Sequence, residues 1–156
     1  ETYNAHTYAI TSSAMTFANA KAAAAALGGY LTTINTKAEN TFLTTQFYGT
    51  YGNAIWIGAN DIDTENTWVW DNGTTSGDNN LTDTICNAPS GDCDPSNATW
   101  ADGTYKWCKD GVTGCGDNEP NDSGRSGEDC ANITNSSGFW NDLPCTHDQY
   151  GIIEFD

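Results

Sequence analysis

Hydrophobic and polar positions divide the first part of the chain into a strand, a helix and turn signals. Apolar and polar residues alternate from Tyr3 to Ile10, which is typical of a half-buried strand. Apolar and alanine positions then predict a helix from about Met15 to Leu27. Ser12 or Ser13 is expected to cap its start, and Gly28 to end it.

The pattern then predicts a second helix between short strands. Tyr30–Ile34 forms a short apolar run, and Thr36 is placed to cap a helix over Lys37–Phe47. Ala54–Gly58 is predicted to be a buried strand. Trp68–Trp70 should follow as a strand with both indoles on one face, which favours a place in the core.

A long polar region follows, from residue 71 to residue 115, rich in Asn, Asp, Gly, Thr and Ser. A loop of this length is usually functional or held by disulfides. Cys86, Cys93, Cys108 and Cys115 lie in it, and four cysteines allow three pairings. Short loops close most easily, so Cys86–Cys93 and Cys108–Cys115 are the favoured pairs, with the crossed pairings left open.

Two further tryptophans, Trp100 and Trp107, belong to the same region. We expect one of them to anchor the core. The other either joins the core, which is favoured, or flanks a ligand.

Composition and charge narrow the class of protein. The 156 residues, of which 12% are aromatic, are enough for one core. Five Lys and Arg against 21 Asp and Glu give a net charge of -16, which excludes nucleic acid as a partner and disfavours anionic membranes. No apolar run approaches the ~18 residues of a membrane span. Six cysteines without a CxxC pattern favour disulfides in an oxidising compartment.

Oxygen-bearing side chains crowd the stretch from residue 118 to residue 145. They are Glu119, Asn121, Asp122, Glu128, Asp129, Asn141 and Asp142. Calcium takes ~6–8 oxygen ligands of these kinds. Glu119 and Asn121 flank a proline and point the same way in an extended chain. Because the whole chain is acidic, a solvated acidic loop stays an alternative on these residues alone.

The order of these residues closely resembles the calcium site of C-type lectin domains. The matching stretches are Glu119–Asn121, Gly127–Cys130, Trp140–Asp142 and, outside the site, Leu27–Leu31, Trp56–Ala59 and Gly151–Phe155. The resemblance implies an α+β, C-type lectin-like fold with two helices, small antiparallel sheets and a long loop region that carries calcium. It implies one domain over residues 1–156, with an insertion at about 71–115.

The resemblance also implies a ligand set. Glu119, Asn121, Glu128, Asn141 and Asp142 would hold the principal calcium ion, and all of these except Asp142 would also bind sugar hydroxyls. The Glu-Pro-Asn order is similar to sites for mannose, glucose, N-acetylglucosamine or fucose, which present vicinal equatorial hydroxyls. The loop at 122–128 is a residue longer than in many such members, which leaves the exact sugar open.

A second calcium site is implied around the loop after the Trp56–Ala59 strand. Asp61 and Glu65 match the family's spacing there, and Asp122, Glu128 and Asp129 would complete the site. For Asp61 and Glu65 alone, a solvated turn is the alternative.

The family's disulfides are only partly present. Cys130 and Cys145 frame the site and are expected to pair. Most members also join the first helix to the last strand by a disulfide, but Ala24 and Ile153 stand at those positions here. We expect apolar packing in its place, and this departure weakly favours a microbial origin.

These observations predict a calcium-dependent carbohydrate-binding protein that is not an enzyme. Its expected partners are glycans, with neither nucleic acid nor membrane insertion. An ice-binding or protein-binding lectin-like domain is the alternative. The composition favours a module of a larger extracellular protein, a bacterial surface adhesin, located outside the cell or on its surface.

Overall fold

The computed structural model describes residues 1–65, 67–70, 86–87, 100, 102–104, 106–123 and 127–156. Its strands are β1 (Thr2–Tyr3), β2 (His6–Ile10), β3 (Tyr30–Leu31), β4 (Ile55–Asn60), β5 (Thr67–Trp70), β6 (Cys86–Asn87), β7 (Cys130–Ile133), β8 (Trp140–Leu143) and β9 (Tyr150–Phe155). Its α-helices are α1 (Phe17–Ala26), α2 (Lys37–Leu43) and α3 (Gly49–Tyr51).

Helix α1 begins later than the sequence predicts, because the chain before it is held extended. Met15 and Gln149 exchange backbone hydrogen bonds at 2.9 and 3.0 Å. The cap is therefore Thr16, whose hydroxyl accepts from the Asn19 amide, and the expected cap at Ser12 or Ser13 is wrong. The helix ends as predicted at Gly28, which adopts a φ of 83° that favours glycine.

Helix α2 begins as predicted at Lys37 but ends at Leu43, short of the predicted Phe47. Thr36 accepts a hydrogen bond from the Glu39 amide at 3.1 Å and caps the helix. A π-helical turn, Thr44–Tyr48, then leads into α3, which ends at Gly52 with a φ of 67°. The Thr44 hydroxyl bonds back to the Asn40 carbonyl at 2.7 Å, a contact that accompanies bends in helices.

The last strand, β9, pairs with β2, β3 and β4. Across the described residues, the strands follow the order β1-β2-β9-β4-β5-β6, with β3 added to β9 and β7 lying between β4 and β8. The pair β4–β9 is parallel, which corrects the expectation of purely antiparallel sheets. This pairing places the last strand beside the buried Ile55–Asn60 strand.

Tryptophans form the centre of the core. The ring of Trp140 meets Trp70, Trp100 and Trp107 edge-on, at centroid distances of 5.6, 5.6 and 5.7 Å. Trp68 and Trp70 are both buried, which confirms their predicted place in the core. Trp100 and Trp107 are both buried as well, so both belong to the core rather than one of them to a ligand.

The disulfides follow the predicted pairs as far as the structure describes them. Cys130 pairs with Cys145 and Cys108 with Cys115, each at a Cα–Cα distance of 5.2 Å. Cys93 of the predicted Cys86–Cys93 pair lies outside the described residues, as does much of the predicted 71–115 insertion.

Apolar packing occupies the place of the family's other disulfide. Ala24 and Ile153 are fully buried, and helix α1 packs against β9. In the part of the chain that the structure describes, no helix has the length and apolar character to cross a membrane.

Candidate functional site

Strand β8 supplies the most buried acid of the candidate site. Asp142 is 1% exposed, and both of its carboxylate oxygens accept hydrogen bonds from backbone amides. The Asn121 amide donates at 3.0–3.1 Å and the Asp122 amide at 2.8 Å. Asp142 therefore fastens the loop after Pro120 to the sheet.

The segment that carries the Cys108–Cys115 disulfide brings Glu119 close to Asp142. The Cys108 amide donates to the Trp140 carbonyl at 2.8 Å, so this segment runs beside β8. The Glu119 amide in turn donates to the Cys108 carbonyl at 2.9 Å. The Glu119–Pro120 peptide bond is cis.

Glu119 and Asp142 form a pair of neighbouring acids that would repel each other if both were ionised. Burial raises the pKa of Glu119 to about 8, and the hydrogen bond and charge of Asp142 add to the shift. Burial also raises the pKa of Asp142. The Glu119 Oε2 atom is shielded from solvent and meets no hydrogen-bond donor among the described residues. A cation placed here would offset the charge of the two carboxylates and would also give Glu119 Oε2 a partner.

The remaining predicted ligands are held in local contacts. Glu128 Oε2 accepts from the Ser123 amide and hydroxyl at 2.9 and 3.0 Å. The Ser123 amide also donates to Asn121 Oδ1 at 2.7 Å. The Asn141 side-chain amide donates to the Asp142 carbonyl. Glu119, Asn121 and Asp142 are thus brought together around one loop, and the Ser123 amide links Asn121 to Glu128.

Residues of the predicted second site are joined through the backbone. The Asp61 amide donates to the Asp129 carbonyl at 3.1 Å, and Asp61 is buried. Burial and then the charge of Asp122 raise the pKa of Asp129. The Glu128 amide donates to Asp122 Oδ1 at 2.9 Å, whereas Glu65 is exposed.

A different cluster has its ligand atoms closest together. His6, Glu154 and Asp156 place theirs within 4.8 Å of one another, the one group of three or more His, Cys, Asp and Glu to do so among the described residues. The sequence carries one signal for it, an acid, Glu154, inside the apolar last strand.

The atoms predicted to bind the principal calcium ion are all oxygens. Carboxylates and amide or backbone carbonyls are the ligands of hard cations such as calcium, and soft ligands would be needed for thiophilic metals. The buried Oε2 of Glu119, beside a second buried carboxylate, is consistent with such a cation.

The chain belongs to the lectin C-type domain family, whose model matches residues 13–153. This family is a non-enzymatic one whose members generally bind carbohydrate. Its homologues are typically secreted or cell-surface proteins. The predicted C-type lectin-like α+β fold is thereby confirmed.

A hepatic lectin is similar to this chain over nearly the whole of the chain's length. The chain is 27% identical over 154 residues to the hepatic lectin of Gallus gallus, covering 99% of this chain and 56% of that protein. The chain therefore spans little more than half of that relative's length.

Two solved structures share the fold. The carbohydrate-recognition domain of the human scavenger receptor C-type lectin is 25% identical at a TM-score of 0.67, over 100% of this chain and 95% of the other. A Ca²⁺-dependent type II antifreeze protein in its Ca²⁺-free form is 18% identical at a TM-score of 0.64, over 100% and 96%. At that identity the antifreeze protein indicates the fold alone.

Proposed function

We propose that the chain binds carbohydrate through calcium held by Glu119, Asn121, Glu128, Asn141 and Asp142. The observation that supports this most is the pairing of half-buried Glu119 with buried Asp142, in which a solvent-shielded Glu119 oxygen meets no donor among the described residues. Burying two adjacent carboxylates costs free energy unless a proton or a cation compensates the charge. The oxygen-only donor set favours calcium.

The side chains divide the work of recognising a pair of sugar hydroxyls. When bound, calcium would supply a positive centre that neutralises the acids and polarises the hydroxyls. The Glu119 and Glu128 carboxylates accept hydrogen bonds from the hydroxyls, and the Asn121 and Asn141 amides donate to them. The Glu-Pro-Asn order favours vicinal equatorial hydroxyls, as in mannose, fucose, glucose and N-acetylglucosamine.

A second calcium ion is proposed at Asp61, Glu65, Asp122, Glu128 and Asp129. The backbone contact between Asp61 and Asp129 and the charge of Asp122 beside Asp129 support it. Its role is to hold the loop that carries Glu128.

The proposed setting is extracellular. Glycans on cells or surfaces are the proposed partners, and a place in a larger surface adhesin stays a prediction from composition.

The test exchanges the acid and the amide that flank Pro120. The Glu119→Gln, Asn121→Asp double variant keeps the net charge but swaps acceptor and donor. Polar groups left unpaired in a bound site typically cost ~1–3 kcal/mol each. We expect calcium binding to change little and mannose binding to weaken by about tenfold or more, measured by titration calorimetry.

A double variant that binds mannose and fucose as tightly as the unmodified chain would contradict the sugar site. Calcium titration of the same samples is the control, because it separates loss of the sugar site from loss of the ion.

A further inference from the structure

The cluster of His6, Glu154 and Asp156 joins β2 to the end of β9. His6 Nδ1 lies 2.9 Å from Glu154 Oε1 and 3.4 Å from Asp156 Oδ1. Antiparallel pairing of Tyr8 with Glu154 brings the two strands into this register. None of these residues belongs to the proposed calcium sites.

Glu154 is held in a fixed orientation by its other oxygen. Glu154 Oε2 accepts from the Thr33 amide at 2.9 Å and from the Thr32 and Thr33 hydroxyls at 3.1 and 3.4 Å. The residue is 1% exposed. Oε1 is thereby aimed at His6, as contacts from neighbouring residues orient a metal-binding carboxylate.

The other two members are oriented as well. The Tyr30 hydroxyl donates to Asp156 Oδ1 at 2.7 Å. His6 Nδ1 is shielded from solvent and meets Glu154 Oε1 without the alignment of a hydrogen bond. The Nδ1 atom therefore lies at ion-pair distance from both acids without a hydrogen bond to either, and a ligand between the three groups would satisfy it.

We propose that these three groups form a zinc site, with His6 Nδ1, Glu154 Oε1 and Asp156 Oδ1 as the ligand atoms. One imidazole nitrogen and two carboxylate oxygens are zinc ligands, whereas calcium takes oxygens alone. Zinc bonds of ~2.0–2.1 Å in a tetrahedron set ligand atoms about 3.3 Å apart, close to the two distances seen here. Because His6 and Asp156 are 36% and 60% exposed at the side chain, water can take the fourth position.

Such an ion would link β2 to the end of β9. Helix α1 and this last strand are joined by the apolar packing of Ala24 and Ile153 rather than by a disulfide. Zinc bound only to the folded state stabilises it by mass action.

The experiment titrates zinc into the whole chain by calorimetry, with calcium at saturation so that the oxygen sites are filled. We expect one zinc ion to bind. His6→Gln should weaken binding by about tenfold or more, as should Asp156→Asn. His147→Gln is the matched control, since His147 is the other histidine of the chain and is exposed, and it should leave the affinity unchanged.

Cobalt provides a second readout. Co²⁺ in a four-coordinate site gives an intense visible absorption, which His6→Gln should remove. Far-ultraviolet circular dichroism of each variant without metal checks that the fold is kept, and His6 is exposed enough for glutamine to be accommodated.

Three results would overturn the proposal: no zinc binding by the unmodified chain, unchanged binding by His6→Gln, or equal weakening by His147→Gln. In those cases His6 serves as an ion-pair partner of Glu154 only. An Asp142→Asn variant that loses calcium but keeps zinc would show that the two proposals stand separately.

Discussion

Asp142 and Glu154 are two buried acids that the fold holds in similar ways. Each is 1% exposed. Backbone amides of Asn121 and Asp122 bind Asp142, and the amide and hydroxyls of the Thr32–Thr33 pair bind Glu154. They differ in their charged neighbours: Asp142 faces the acid Glu119, whereas Glu154 contacts His6 and also lies near the acid Glu39.

The difference shows which groups offset the charge of a buried carboxylate in each region. A buried carboxylate is costly unless opposite charge or hydrogen bonds offset the loss of water. Burial and the charge of Glu39 raise the pKa of the Glu154 carboxyl, whereas His6 lowers it. Glu119 adds a second negative charge, so the Asp142 region depends on a proton or on an ion from solution.

The largest expected effect comes from removing calcium, which should act more strongly on the Asp142 region than on the Glu154 region. At a free calcium concentration about a thousand times Kd, the ion contributes ~4 kcal/mol, so chelation with EGTA in zinc-free buffer should lower Tm by roughly 8–16 °C. Hydrogen exchange should speed up more at the Asn121 and Asp122 amides than at the Thr33 amide, which reports only the loss of global stability. An unchanged melt after exhaustive chelation would count against the calcium site.

Removing one charge from the Asp142 region is expected to act next most strongly. Asp142→Asn places an amide group against the Asn121 and Asp122 amides and lowers the negative charge offered to the ion. Calcium affinity should fall by about a hundredfold, or ~2.7 kcal/mol, in a calorimetric titration. Asp148→Asn, at an exposed position, is the control and should bind calcium normally. Equal affinities for the two variants would show that Asp142 is only structural.

The pH dependence of stability without calcium tests Glu119, and the Glu119→Gln variant separates its contribution from those of Asp142 and Asp129, whose pKa values are also raised. The pKa of Glu119 is raised from 4.5 to about 8 in the folded chain, so the folded state binds the extra proton and this contribution to stability is lost as pH rises from about 4.5 to 8. The acid is half-buried, and with that discount the loss is about 1 kcal/mol, or 2–4 °C in Tm. Glu119→Gln should flatten this part of the melting profile. Parallel profiles for both proteins would refute the assignment.

The smallest expected effect tests the hydrogen bond from the Thr32 hydroxyl to Glu154. Thr32→Val keeps the shape of a fully buried side chain but removes the hydroxyl that donates to Glu154 Oε2. The Thr33 amide still binds that oxygen, so the free energy of unfolding should fall by only about 1 kcal/mol. Thr41→Val, an exposed helix position, is the comparison and should differ by less than about 0.5 kcal/mol in denaturant unfolding. A Thr32→Val loss no larger than that would mean the hydroxyl does not hold Glu154.

Local chemistry made parts of this molecule predictable from sequence. The Thr36 cap, the Gly28 stop and the Trp68–Trp70 strand depend on neighbouring residues, and they form as predicted. The grouping of Glu119 with Asp142 follows the family's order of residues.

Contacts between distant segments set the features that the sequence did not predict. Helix α1 starts at Thr16 because Gln149 holds Met15 extended. The His6–Glu154 contact exists only through the register of β2 on β9, which an alternating pattern does not specify.

The tryptophan centre of the core has an optical consequence. Trp140 and Asp142 lie two positions apart on β8 and so share one face of that strand. Trp140 is also in edge-on contact with Trp70, Trp100 and Trp107. Occupancy at Asp142 is therefore expected to shift the indole emission and the near-ultraviolet dichroism, so that the chain reports on its own binding without an added label.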